Sequence, residues 1–109
     1  MASLSEPTFL ILTALAGGPL HGYGVIKKVA TLSEGRVTLL AGTLYTALDR
    51  LTAQGLVERD REEAVNGRLR RYYRLTSDGV GTLDVEAARL RQLATAAEAQ
   101  LRTIRPRTV

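Results

Sequence analysis

The chain has 109 residues, with no cysteine, no tryptophan and one histidine, and its 15 Lys and Arg against 11 Asp and Glu leave a net charge of +4 at pH 7. That is one domain's worth of chain, with no separate effector domain expected, and the absence of cysteine excludes a disulfide framework and a thiolate metal site. No secretory leader is expected at the N-terminus and no apolar run approaches the ~20 residues of a membrane span, so the cytoplasm is the expected location. A pI near 10.0 suits a polyanionic partner, and an aromatic fraction of 5% predicts an aliphatic, alanine-rich core.

The first periodic segment, Glu6 to Ala16, carries Phe9, Leu10, Leu12, Leu15 and Ala16 at helical spacing and is stopped by Gly17, Gly18 and Pro19. A second helix is predicted over Gly22 to Leu32, where Tyr23, Ile26, Val29 and Ala30 recur at helical intervals, although Gly22 and Gly24 weaken its first turn. The apolar run Val37 to Leu40 is too short for a helix and reads as a short strand. A third helix is expected from about Gly42 to Gln54, with Leu44, Ala47, Leu48 and Leu51 on its inner stripe and Gly55 as its stop.

Leu56 to Glu63 and Arg68 to Leu75 flank Asn66-Gly67, a pair that favours the positive backbone angles of tight hairpins. The remainder reads as one long helix capped by Thr76 or Ser77. Its apolar positions Leu83, Ala87, Leu90, Ala94, Ala97, Leu101 and Ile104 alternate spacings of four and three, as in a dimer seam. The expected fold class is therefore mainly α with a small β-hairpin: a winged helix-turn-helix over residues 1–76, then a C-terminal dimerisation helix and short basic tail over 77–109.

Four stretches in order, Gly18-Pro-Leu-His-Gly-Tyr23, Ala41-Gly-Thr-Leu-Tyr45, Gly55-Leu-Val-Glu58 and Arg70-Arg-Tyr-Tyr-Arg-Leu-Thr-Ser-Asp-Gly79, closely resemble the PadR family. The resemblance spans about Ile11 to Gly79, and the single C-terminal helix is similar to the smaller subfamily. It implies a dimeric transcriptional repressor, of a kind that controls stress, detoxification or drug-export genes and in some members binds aromatic small molecules at the dimer interface. The chain departs from the family at Thr46, where Pro is frequent, and at Gly24, where a polar or acidic residue is usual.

A recognition helix needs short polar side chains near its start so that it can approach base edges. Ala41, Gly42, Thr43, Tyr45 and Thr46 meet that need, with Arg50 one turn further on. Read without the family, Gly42 and Thr43 are equally a helix cap and Tyr45 a residue packed on the hairpin. In the wing, Asn66, Arg68, Arg70 and Arg71 are candidate phosphate or groove ligands and Arg74 is a weaker one, since strand alternation turns some arginines to solvent. The alternative there is a solvated charged hairpin whose arginines pair with Asp60, Glu62 and Glu63. Tyr23 and Lys27 sit on the helix expected to cross the DNA backbone, where either one is also readable as ordinary surface or core and Tyr23 as a packed aromatic.

His21 reads as a turn or cap residue rather than a metal ligand or base. No nucleophile motif, phosphate-cradling glycine loop or paired-carboxylate signature is present, so neither an enzyme nor a cofactor is expected. The reading that results is a sequence-specific regulator, binding a pseudo-palindromic double-stranded DNA operator as a homodimer and open to release by a small-molecule effector, with no membrane partner. The alternatives are a winged-helix protein-interaction module and a ligand-binding protein that does not bind DNA.

Overall fold

The computed structural model describes residues 4–105, and the expected basic tail beyond Arg105 lies outside the described residues. Helix α1, Glu6–Ala16, opens where the Ser5 hydroxyl accepts the Thr8 N–H and Pro7 occupies the first turn, a position that needs no N–H. A two-residue strand β1, Leu20–His21, leads into α2, Gly22–Leu32. Past the C-cap of α2 at Ser33, Gly35, at a positive φ of 83°, turns its N–H back to the Ala30 carbonyl.

The run Val37 to Leu40 is not a strand; it crosses to α3 as extended chain with Leu39 turned into the core and Leu40 left outside. The place in the sheet goes instead to Leu20–His21, which pairs antiparallel with the strand that follows the hairpin turn. Helix α3, Ala41–Ala53, then lays Leu44, Ala47, Leu48 and Leu51 into the interior.

Strands β2, Val57–Val65, and β3, Arg68–Leu75, join through Asn66 at φ 51° and Gly67 at φ 75°, the left-handed pair of a tight hairpin turn. Sheet order is β1-β3-β2. The register passes from Arg59 opposite Tyr73 to Glu62 opposite Arg71, so β2 carries one extra residue there, a bulge that bends the wing. Ile11, Leu12, Leu15, Val25, Val29, Leu44, Leu48, Leu51, Val57 and Tyr73 form one core that ties α1, α2, α3 and the root of the wing together.

Helix α4, Ser77–Ile104, starts where the Thr76 hydroxyl accepts the Gly79 N–H and donates to the Gly55 carbonyl. At ~1.5 Å per residue it runs about 40 Å. The radius of gyration of 17.2 Å exceeds the ~13 Å of a compact chain this long, because most of α4 projects from the body.

Two glycines at the start of α4 distinguish packing from propensity. A Cβ on Gly79 would overlap the Leu56 carbonyl oxygen, whereas one on Gly81 would meet open space. Gly81→Ala is expected to raise stability by ~0.5–1 kcal/mol through helix propensity. Gly79→Ala is expected to lower it by ~1–3 kcal/mol through overpacking. Urea denaturation of the two variants checks both signs, and a stabilised Gly79→Ala protein would contradict the close approach.

Candidate nucleic-acid interface

The start of α2, the first two turns of α3 and the wing come together around a cleft of about 550 Å³, lined by His21, Gly22, Tyr23, Tyr45, Arg68, Leu69, Arg70 and Arg71. Tyr45 projects from α3 onto the first residue of α2. A Cβ on Gly22 would overlap its hydroxyl oxygen and ring, so only glycine lets the tyrosine lie there. Tyr45 thus packs against the start of α2 while remaining exposed along the cleft.

Ala41, Gly42, Thr43 and Thr46 are all exposed on the outer face of α3. Leu40, immediately before them, is 73% exposed and was missed by pattern reasoning, which reads a leucine as core. A leucine presented there suits the methyl group of a thymine. Arg50 is tied back to α1, its Nη2 donating to Thr8 Oγ1 at 3.0 Å, so part of its donor capacity holds the helix in place.

In the wing the acids pair selectively. Arg74 donates to Glu58 and Asp60 at 2.9 and 3.2 Å, and Arg61 to Asp60 and Glu63 at 2.9 and 3.1 Å while stacked 3.9 Å over the Tyr72 ring. Arg68, Arg70 and Arg71 are exposed and have no ion-pair partner among the described residues. Their guanidinium forks are free for the bidentate geometry that phosphate favours. Asn66 stands exposed at the tip beside them.

Tyr23 is 64% exposed with Lys27 Nζ 5.5 Å from its ring centroid, so neither residue belongs to the core. His21 caps α2, its Nδ1 accepting the Gly24 N–H at 3.2 Å, and its ring meets the Tyr72 ring edge-on at 5.3 Å. Desolvation first, and then the positive charges of Arg70 and Lys27, hold its pKa below the ordinary 6.5 against the opposing pull of Glu63. That shift favours the neutral imidazole, the form in which Nδ1 can accept.

Along α4, Leu83 packs on the core of its own domain and Ala87 is half-buried, while Leu90, Ala94, Ala97, Leu101 and Ile104 are exposed. Leu93 on the same side is 55% exposed and lies off the strict four-three spacing that singled out its neighbours. Glu86 is buried, accepting two bonds from Arg89 and one from the Leu4 N–H, and the Arg89 guanidinium chiefly holds its pKa below the ordinary carboxylate value. That latch joins the segment before α1 to α4.

A helix-turn-helix carrying an arginine-lined antiparallel wing defines the winged-helix class of DNA-binding proteins. The pattern of the transcriptional regulator PadR-like family matches residues 11–85, and the chain belongs to that family. It is 36% identical over 84 residues to the transcriptional regulator Rv3488 of Mycobacterium tuberculosis, covering 77% of this chain and 75% of that protein. It is 42% identical over 89 residues to an uncharacterized 37.1 kDa protein in transposon TN4556 of Streptomyces fradiae, covering 82% of this chain but only 24% of that protein's length.

The fold is similar to a PadR family transcription regulator from Clostridium difficile, with a TM-score of 0.74, 24% identity, and coverage of 89% and 99% of the two chains. Bacillus subtilis PadR, solved in complex with operator DNA, has a TM-score of 0.62 and 19% identity over 94% of this chain and 49% of that one. The protein is thus a PadR-like DNA-binding transcription regulator.

The seat of Tyr45 can be measured without DNA. Gly22→Ala is expected to cost ~1–3 kcal/mol of stability by overpacking against the ring. In a double-mutant cycle with Tyr45→Leu, most of that cost should vanish, because the obstructing ring is gone. Additive effects would show that the two residues do not meet.

Proposed function

We propose that the protein represses transcription as a symmetric dimer, two recognition helices and two wings engaging half-sites of a pseudo-palindromic operator. The observation that carries the proposal is the set of three unpaired wing arginines on the cleft that Tyr45 enters from α3. On this reading Ala41, Gly42, Thr43 and Thr46 approach base edges, Asn66 and Arg68 enter the adjacent groove, and Arg70, Arg71, Tyr23 and Lys27 hold backbone phosphates. Residues 1–76 form the DNA-binding unit and residues 77–109 the dimerisation unit, with Leu90, Ala94, Ala97, Leu101 and Ile104 facing the partner. Leu83 serves mainly the fold of its own protomer.

Release by a small molecule is the finer part of the reading. It is supported by a cleft of about 340 Å³ lined by Leu4, Phe9, Leu10, Leu32 and Leu90, with Glu6, Arg36 and Glu86 at its polar side. That volume suits a small ring compound. Leu90 belongs both to this cleft and to the exposed stripe, so an occupant would act on the dimer directly.

Duplex binding is expected to fall ~10³-fold or more between about 50 and 200 mM salt, as it does when several phosphates are neutralised. Fluorescence anisotropy checks it, and a flat response would remove the DNA-backbone contacts from the proposal. Leu90→Asp places a carboxylate twice in the symmetric interface and is expected to leave monomers at micromolar concentration with specific operator binding lost. Light scattering showing a monomeric wild type, or a variant that stays dimeric, would place the seam elsewhere.

A further inference from the structure

We propose that His21 is itself a DNA ligand: a neutral imidazole whose capped Nδ1 leaves Nε2–H as donor to a backbone phosphate oxygen between the wing and α2. The inference rests on the DNA-binding reading and assigns one more contact to it. Three observations converge.

The first is the tautomer. Nδ1 accepts the Gly24 N–H, so in the neutral ring the proton resides on Nε2, which can then only donate. The second is access. His21 is half-buried, yet no buried polar side-chain atom lacks a partner among the described residues, and no protein acceptor takes Nε2–H. That nitrogen therefore opens to solvent. The third is location. His21, Tyr23 and Arg70 line both the cleft shared with Tyr45 and a neighbouring cleft of about 430 Å³ that adds Lys27 and Lys28. His21 is thus on the ridge between two basic hollows, where a strand of phosphates passing from the wing to α2 has to cross it.

A neutral donor in that setting differs physically from its neighbours. Arginine and lysine contacts release counterions and steepen the salt dependence of binding, whereas an uncharged N–H gives a hydrogen bond without changing the slope. Its ring is also fixed, because the Gly24 cap and the Tyr72 edge hold it, so little rotamer entropy is lost on binding. Desolvation first, then Arg70 and Lys27, lowers its pKa, which favours the neutral ring that the cap and the donor both require.

The test compares the full chain with His21→Asn and Arg70→Ala on one mixed-sequence duplex across a salt series. Asparagine is a favoured N-cap residue, so α2 keeps its cap while the donor at the reach of Nε2 is lost, the amide N–H groups of asparagine lying closer to the backbone; His21→Ser, shorter still, repeats the measurement should the first variant unfold. The expected result for His21→Asn is an affinity lower by between about tenfold and a hundredfold, for one or both protomers of a dimer, with the salt slope unchanged. Arg70→Ala should reduce the slope by about one for each protomer that engages the duplex.

Long-range proton–nitrogen correlation spectra of the ¹⁵N-labelled protein should show the Nε2–H tautomer in the free state and a shift of that nitrogen on adding duplex. If wild type binds and His21→Asn binds equally well with the same slope, His21 is a cap only. A slope lowered by His21→Asn would mean a charged imidazolium contact and overturn the neutral-donor proposal. Wild type that binds no duplex would overturn the DNA-binding reading and this contact with it.

Discussion

Gly55 and Leu56 make the joint on which the geometry of the whole molecule turns. The Leu56 N–H closes α3 onto the Leu51 carbonyl, its own carbonyl accepts the Thr76 N–H, and the Thr76 hydroxyl donates to Gly55 at 2.6 Å while capping α4. The end of α3, the root of both wing strands and the start of α4 are thereby bound within a few residues of one another. Gly79 lies so close to Leu56 that no side chain fits between them. Because every bond in the joint involves backbone or a short hydroxyl, it has little rotamer freedom, and α4 leaves the body in one direction relative to α3. In a symmetric dimer that direction sets the distance between two recognition helices, so the spacing of half-sites would be written into this joint and not into the DNA-facing residues.

Charge placement in the wing follows from strand register. Glu58 is opposite Arg74 in the ladder and the two form an ion pair, whereas beyond the bulge after Arg59 Glu62 and Glu63 stand opposite Arg71 and Arg70 without one, Glu63 pairing with Arg61 instead. Exposed ion pairs of this kind contribute ~0–1 kcal/mol each, too little to explain the fold. Their effect is electrostatic: they occupy Arg74 and Arg61, while Arg68, Arg70 and Arg71 keep exposed guanidinium groups with no ion pair among the described residues.

Much of this was legible in the sequence because the signals were local. Glycine pairs and caps placed α1 and α2 at the observed boundaries, and Asn66-Gly67 placed the hairpin. What was not legible depended on a partner distant in sequence. A strand of two residues such as Leu20–His21 has no periodicity to detect and exists only because β3 offers an edge. Val37 to Leu40 has strand-like composition, but that edge is already occupied, so the segment serves as a connection. The bond from Arg50 to Thr8 spans 42 positions of chain, a partner that no local pattern announces. Gly22 weakens a helix by propensity; its reason is the Tyr45 ring from another helix.

The same distinction between local pattern and distant partner governs α4. Its apolar spacing is continuous, but the body claims its first turns through Leu83 and through the Glu86 latch to Leu4, and the exposed stripe runs from Leu90 onward. Leu90, Leu93 and Leu101 are already between about one third and two thirds covered, so completing their burial contributes only ~1 kcal/mol apiece. Association costs several kcal/mol in lost translational and rotational freedom. A dimer seated on those turns alone would be weak. A tight one would also draw in Phe9 and Leu10 of α1, which flank Leu90 around the same cleft. On that arrangement the cleft would be part of the area that holds the protomers together, and the proposed small-molecule occupant would change dimer geometry with no need for a separate transmitting element.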